Sequence, residues 1–454
     1  MSEETRRGRL TVDGLRQAVA AGEIDTVVIA MVDMQGRLQG KRLDAEHFLD
    51  TVLEHKAEGC NYQLTVDVEM NPVPGYRHAS WSTGYGDFVF APDLSTLRRI
   101  PWLDGTALVL CDLEWEDGRP VVVSPRQILR RQIERLAERG LVPIAATELE
   151  FMVFRNTYQE AWASAYRGLT PATLYNVDYA LLDTVGTESL MRDIRRHMRD
   201  AGLEVQGSKG ECNRGQYEIN FTHQMALGAA DTHVIFKNGA KEIAARHGAA
   251  LTFMAKFDER EGNSCHIHFS VRSRSGEPVM ADGHELSKLG RHFVAGLLAA
   301  MADLTLFFAP NINSYKRYAK GSFAPTALAW GRDNRTCALR LVGRDDTLRV
   351  ENRVPGGDAN PYLALAAMIA AGIHGLDEAL PLEPAYVGNA YESDAPRVPR
   401  TLRDARERFL KSAVAREAFG EEVVEHYARM AEVEIEAFDA AITDWERFRC
   451  FERM

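Results

Sequence analysis

The stretch ATELEFMVF, Ala146 to Phe154, constrains this chain more than any other. Read as a β-strand, its side chains alternate between two faces. Leu149, Phe151 and Val153 share one face, while Glu148, Glu150, Met152 and Phe154 share the other. The habit repeats. QYEINF sets Tyr217, Ile219 and Phe221 against Gln216, Glu218 and Asn220. CHIHFSV sets Cys265, Ile267, Phe269 and Val271 against His266, His268 and Ser270. TCALRLV isolates Arg340 among apolar neighbours, and TLRVENR aligns Arg349, Glu351 and Arg353. Any one of these reads as a half-buried antiparallel strand that shows polar residues to water. Together they differ from a water-facing sheet, which carries Thr, Lys, Gln and Ser. Glu, His and Arg set between Met, Phe and Val need partners.

The residue types name those partners. Carboxylates with a histidine suit divalent cations that take mainly oxygen ligands, Mg²⁺ or Mn²⁺. Clustered arginines suit phosphate and carboxylate, which they grip as bidentate forks. Acids for metal and arginines for phosphate point to metal-nucleotide chemistry, and no GxxxxGK[ST] loop makes this a P-loop protein. Cys265 beside His266 and His268 raises zinc, but one thiol among hard oxygen ligands argues against it.

Composition sets broad bounds. The chain has 454 residues, 45% hydrophobic and 26% charged, enough for a large core and more than one domain. No run approaches the roughly 18 apolar residues of a membrane span. The polar start MSEETRRGRLTVDGL lacks a signal-peptide core. Six scattered cysteines read as reduced thiols of a cytoplasmic protein. A net charge of −11 argues against a general nucleic-acid binder. EDGRP at 116–120 is a turn-rich break, so the reading is two domains, 1–120 and 121–454. A helix follows, with Ser124 as cap and Pro125 in the first turn. Asn360 and Pro361 open a second, buried helix. The last 50 residues read as a charged, solvent-facing helical bundle.

At this point six ordered motifs carry a resemblance: TELEF, ECNRGQYEIN, GNSCHIHFS, NSYKR, DNRTCALRL and RVENRVPGGDANPY. Each is weak alone, but in this order the chain resembles the glutamine synthetases and their γ-glutamyl-amine ligase relatives, from about Val32 to Glu392. The resemblance implies an α+β fold: a small N-terminal β-grasp domain, then a large catalytic domain with a curved antiparallel sheet flanked by helices. It implies a homododecamer of two hexameric rings, with each site completed by the neighbour's N-terminal domain. It implies two to three Mg²⁺ or Mn²⁺ per site, and L-glutamate, ATP and an amine as substrates.

Residue by residue, Glu150, Glu211 and Glu218 match ligands of the cation near glutamate. Glu148, His266 and Glu351 match ligands of the cation on the ATP phosphates. Arg340 and Arg349 match phosphate contacts, Arg335 supports the transferred phosphoryl group, and His268 with Ser270 matches a nucleotide contact. Arg317 matches the clamp on the glutamate α-carboxylate, Gly262 a backbone contact to glutamate, and Arg353 the contact to the γ-carboxylate or its phosphate.

The flap segment YAKGSFAPT departs from the pattern. Ammonia-using members carry a glutamate just before the AP, where this chain has Phe323 preceded by Ser322. A phenyl ring cannot attract ammonium or take its proton, but it can pack against an alkyl chain. The expected nucleophile is therefore an organic amine such as ethanolamine, an alkylamine or a polyamine. Tyr175, Asn176 and Tyr179 are candidates for an aromatic or polar wall of the amine pocket, and Asp67 or Asp87 for acids that reach a neighbouring site. An alkylammonium must lose a proton before it attacks, and the sequence does not identify the base. The alternatives are an ammonia-dependent glutamine synthetase, against which the missing flap acid argues, and a non-catalytic relative, against which the six filled ligand positions argue.

Overall fold

The computed structural model describes residues 7–454. Two sheets organise them. The first has six strands: β1 (Thr26–Val32), β2 (Leu38–Asp44), β3 (Ala57–Cys60), β4 (Asp87–Pro92), β5 (Arg98–Arg99) and β6 (Thr106–Glu114). Their order is β2-β1-β6-β4-β3, with β5 also paired to β6, and β1 and β6 run parallel while their other partners run antiparallel. This is the expected grasp-like N-terminal arrangement.

The second sheet is built on β7 (Leu141–Phe154), which carries ATELEFMVF. Its other members are β8 (Val205–Gly210), β9 (Gln216–Phe221), β10 (Gln224–Met225), β11 (Ala250–Thr252), β12 (Cys265–Ser273), β15 (Trp330–Arg332), β16 (Leu339–Val342) and β17 (Arg349–Asn352). Two short strands, β13 (Ala281–Asp282) and β14 (Glu285–Leu286), pair separately. The order is β15-β16-β17-β12-β7-β9-β8, antiparallel except for β15 with β16, and β10 and β11 also pair with β7. The expected α+β class and the antiparallel catalytic sheet are both present.

Alternation explains why one face of β7 is core. Phe151 packs at 5.5 Å from the ring of Phe253 and at 6.1 Å from that of Phe236. Helices Ala226–Arg246 and Pro361–Asp377 lie behind the sheet, and the second is buried almost end to end. Asn360 caps the latter through the amide of Tyr362, with Pro361 in the first turn as the sequence predicts. Its side-chain amide also donates to the carbonyls of Asp33 and Met34, which ties the helix start to the first sheet. Ser124 occupies the cap position of helix Pro125–Ala137, but its side chain makes no capping hydrogen bond.

Arg126 in that helix ties the first sheet to the helices behind the second. It is 1% exposed and bonds Asp93 beside β4, Asp112 of β6 and Asp231 of helix Ala226–Arg246, whose carboxylate also accepts from the Tyr362 hydroxyl.

The C-terminal helices correct the sequence reading. Leu402, Ala405 and Phe409, then Phe419, then Val424 and Tyr427 are buried, and Phe409, Phe419 and Tyr427 surround Phe307 at 4.9–5.2 Å. Their apolar residues recur every three to four positions, so charge density disguised amphipathic core helices. Among the described C-terminal helices, Asp444–Cys450 alone has no buried residue.

Candidate active site

Strand register brings the charged residues together. Across β7, Glu148 stands opposite His266 of β12, and Glu150 opposite Glu218 of β9. One strand further, His268 stands opposite Glu351 of β17, which in turn faces Arg340 of β16. Five strands thus present acids, imidazoles and an arginine on one face, while their alternate residues fill the core.

Two groups of possible ligands result. In the first, oxygens of Glu150, Glu211 and Glu218 lie within 4.8 Å of one another. Glu150 is 8% exposed and accepts from the amide of Ser264 at 2.7 Å and from Gln216 at 3.1 Å. Glu218 accepts from Asn220 at 3.1 Å. Burial, and then the neighbouring negative charges, push all three carboxyls well above the ordinary range. Such crowding of acids is stable only with a cation or protons between them.

In the second group Glu148, His268 and Glu351 also gather within 4.8 Å. His266 Nδ1 lies 3.4 Å from Glu351 and 3.7 Å from Glu148, so both imidazoles border this place. Their roles differ. Arg349 Nε donates to His268 Nδ1 at 3.0 Å, so the ring proton of His268 sits on Nε2. That nitrogen is 2.8 Å from Glu148 but poorly aligned for a hydrogen bond, and with its proton it offers no lone pair to a cation. His266 is held neutral, lowered to about 4 by burial and then by the charge of Arg353, and keeps a free lone pair. Glu351 is lowered to about 2: burial opposes the charge, while His266 and His268 when protonated, and Arg353 and Arg340 always, favour it.

The donor set fits a hard divalent cation. Both groups are carboxylate oxygens with at most one ligating imidazole. Cys265, the thiol that raised zinc, is buried on the opposite, apolar face, where burial pushes it up to about 12.

The arginines divide into two sets. Arg317 is 3% exposed and donates to the carbonyls of Arg353, Val354 and Pro355, leaving its Nε buried without a partner. It packs against Gly262 so closely that a Cβ there would meet Arg317 Cγ at 3.0 Å. Arg353 donates to Glu351 and to the carbonyl of Phe323, and its Nε is likewise buried and unpartnered. Arg340 bridges Glu351 at 2.7 Å and Asp333. Arg349, His268, Ser270 and Glu148 line a cavity of about 350 Å³ beside the second group. Arg335 is exposed on the loop after β15, near Asp333 and outside the two clusters.

The amine-side candidates are less gathered. Phe323 is 55% exposed and has φ +59°, a left-handed backbone that a bulky residue rarely adopts. Ser322 turns its hydroxyl to the carbonyls of Arg317 and Ala319 and so shapes the flap. Tyr175 and Tyr179 are exposed on the loop that approaches Glu211. Asp67 accepts from the amides of Glu69 and Asn71 and closes its own turn, and Asp87 is exposed at the start of β4.

Sequence reading passed over Gln216. Its amide joins Glu150, the carbonyl of Gly262 and Asn263, which links the acid trio to the Arg317 side of the site. Its place two residues before Glu218 on the same strand face was the available signal. Asp333, which orients Arg340, gave none, because it comes from a loop.

Comparison with known proteins finds relatives along nearly the whole chain. The family described as glutamine synthetase, catalytic domain, matches residues 122–450. Gamma-glutamylethanolamide synthetase GlnA4 of Streptomyces coelicolor is 58% identical over 445 residues, covering 98% of this chain and 96% of that protein. Glutamate–isopropylamine ligase of a Pseudomonas species is 38% identical and covers 99% of both chains. Among solved structures, GmaS in complex with ADP superposes with a TM-score of 0.85 at 26% identity, covering 96% of this chain and 99% of its own.

Proposed function

The chain belongs to the glutamine synthetase family, and we propose that it is an ATP-dependent ligase joining the γ-carboxylate of L-glutamate to a small organic amine, with ethanolamine the preferred nucleophile. The observation that carries the choice of amine over ammonia is Phe323, a phenyl ring in the flap where an ammonia-using site needs an acid. The 58% identity to an ethanolamide synthetase supports a short, hydroxylated or alkyl amine.

The chemistry follows from charge. A carboxylate and a triphosphate repel, and their approach needs neutralising groups fixed in advance. In this reading Glu150, Glu211 and Glu218 hold one divalent cation and Glu148, His266 and Glu351 another. Bound there, the cations screen the phosphates and polarise the transferred phosphoryl group. Arg340 and Arg349 receive the polyphosphate, with His268 and Ser270 lining the nucleotide cavity and Arg335 approaching once nucleotide is bound. Arg317, with Gly262 beside it, holds the α-carboxylate, and the free Nε of Arg353 faces the γ-carboxylate. A γ-carboxylate oxygen attacks the terminal phosphorus, ADP leaves, and a γ-glutamyl phosphate remains. The amine, having lost a proton, attacks the acyl carbon and phosphate departs. Closure of the flap over the acyl phosphate excludes water.

We place the division between the two units near residue 120 and expect a cytoplasmic homododecamer, in which Asp67 or Asp87 faces a neighbour's site. Among the described residues no helix is long and apolar enough to cross a membrane. The test is phosphate release from ATP with glutamate and Mg²⁺ across ammonium, ethanolamine, short alkylamines and polyamines, with product masses. Adducts of ethanolamine or short alkylamines support the reading. Turnover with ammonium alone refutes it.

A further inference from the structure

Two side chains of different origin grip the tip of the flap. Arg353, just past β17, donates to the carbonyl of Phe323, and the Tyr391 hydroxyl donates to the next carbonyl, that of Ala324, at 3.0 Å. Tyr391 stands in a single helical turn, Ala390–Glu392, whose cap residue Asn389 accepts from the Tyr391 amide at 3.2 Å. That turn is anchored on the loop that carries Arg335. Thr336 Oγ1 accepts from the amide of Ala390 at 2.9 Å, and the Asn334 side chain donates to the carbonyl of Gly388 at 2.9 Å. Beyond the tip, the Leu328 amide donates to the carbonyl of Pro396 at 2.7 Å, and the Val398 amide to that of Thr326 at 3.2 Å. Backbone pairing therefore fixes the chain that follows the flap, whereas the carbonyls of Phe323 and Ala324 depend on side chains. Burial raises the Tyr391 hydroxyl above its ordinary value, against the charges of Arg353 and Arg317, so it stays a donor in neutral solution.

An acyl phosphate lasts only while water is kept from it. When the flap opens too early, water adds to the acyl carbon, the bond to the phosphate oxygen breaks, and glutamate and phosphate leave without an amide. We propose that Tyr391 is a positioning residue that latches the flap tip, so that the γ-glutamyl phosphate passes to the amine and not to water. This rests on the ligase reading and adds to it a group that acts through the backbone of Ala324. The anchor on Asn334 and Thr336 gives the latch a fixed base. A phenol on a rigid ring also loses less freedom in holding a carbonyl than a long flexible chain would. The Lys320–Glu392 pair spans the same gap, but both side chains are about two-thirds exposed, so it contributes little.

The test measures phosphate and γ-glutamylethanolamide formed from glutamate, ATP, Mg²⁺ and ethanolamine. Tyr391→Phe removes the hydroxyl and keeps the ring. Phosphate released in excess of adduct should rise about threefold to tenfold in this variant, the factor that one hydrogen bond carries. The KM for ATP should change less than twofold. Glu392→Gln, in the same turn, should leave the excess as it is in the unsubstituted enzyme. Hydrogen exchange of peptide 318–326 without substrates reads the latch without turnover: Tyr391→Phe should speed it at least threefold, with the β7 peptide 141–154 unchanged. An unchanged phosphate excess or unchanged flap exchange in Tyr391→Phe would overturn the latch, as would an equal rise in Glu392→Gln. If no amine supports turnover in the unsubstituted enzyme, the ligase reading fails, and flap exchange still decides on the latch.

Discussion

Glu150 of β7 stands directly across from Glu218 of β9, two buried carboxylates paired in register. Like charges at such a position destabilise a sheet unless something positive lies between them. With Glu211 completing the trio, the protein should be destabilised without a divalent cation. The sign follows from the raised carboxyl values: the folded state binds more protons than the unfolded chain above the ordinary carboxylate range, so cation-free stability falls as pH rises toward about 8, the value for Glu218. Mg²⁺ or Mn²⁺ replaces those protons. Thermal melts should therefore show a cation-dependent increase that is larger at pH 8 than at pH 6, worth about 2.7 kcal/mol at a hundredfold excess over Kd. Glu218→Gln should raise cation-free stability and abolish most of that increase.

The flap makes the second prediction. Phe323→Ala removes the apolar wall and should reduce kcat/KM for ethanolamine or a short alkylamine about tenfold, since an apolar contact of this kind is worth about 1–3 kcal/mol. Phe323→Glu should lose organic-amine activity and gain turnover with ammonium. Steady-state kinetics with both nucleophiles checks each change.

Two buried histidines and a half-buried one predict an acid limit. His426 lies well below its ordinary value through burial and then His78, and His233 through burial and then Lys237, while burial takes His78 to about 4. These folded-state values lie below the unfolded one of about 6.5, so the unfolded chain binds more protons in between. Their contribution is full above about pH 6.5 and declines as pH falls toward 4. Urea midpoints should drop across this interval, and His426→Asn should flatten the slope relative to the unsubstituted protein.

Arg126 predicts the cost of breaking the contact between the first sheet and helix Ala226–Arg246. Removing it leaves buried Asp231 with the Tyr362 hydroxyl alone, and Asp93 and Asp112 with Arg130. Arg126→Met should cost about 3–5 kcal/mol in denaturant unfolding. Adding Asp231→Asn should recover part of that loss.

Strand alternation made much of the site legible in the sequence. A period of two assigns Glu148, Glu150, Glu218, His266 and Glu351 to one face whatever the register. It does not say that Glu150 meets Glu218 or that Glu351 meets Arg340, because a period of two leaves register open, and Glu150 and Glu218 lie 68 positions apart. Loop groups were not legible. Tyr391 and Ala324 meet because the turn Ala390–Glu392 is anchored on Thr336, and no local pattern encodes that approach. The C-terminal helices were misread because their charge outweighed the spacing of Leu402, Ala405 and Phe409. The two imidazoles are separable only by their partners, since Arg349 fixes the tautomer of His268 and leaves His266 its lone pair.

The central claim is that this site takes an organic amine and rejects ammonia. The most direct measurement is a competition: glutamate, ATP and Mg²⁺ with equal concentrations of ethanolamine and isotopically labelled ammonium, followed by product mass. The expected product is γ-glutamylethanolamide, with little or no labelled glutamine. Labelled glutamine as the main product would contradict it and would return the role of proton acceptor to an acid elsewhere in the site.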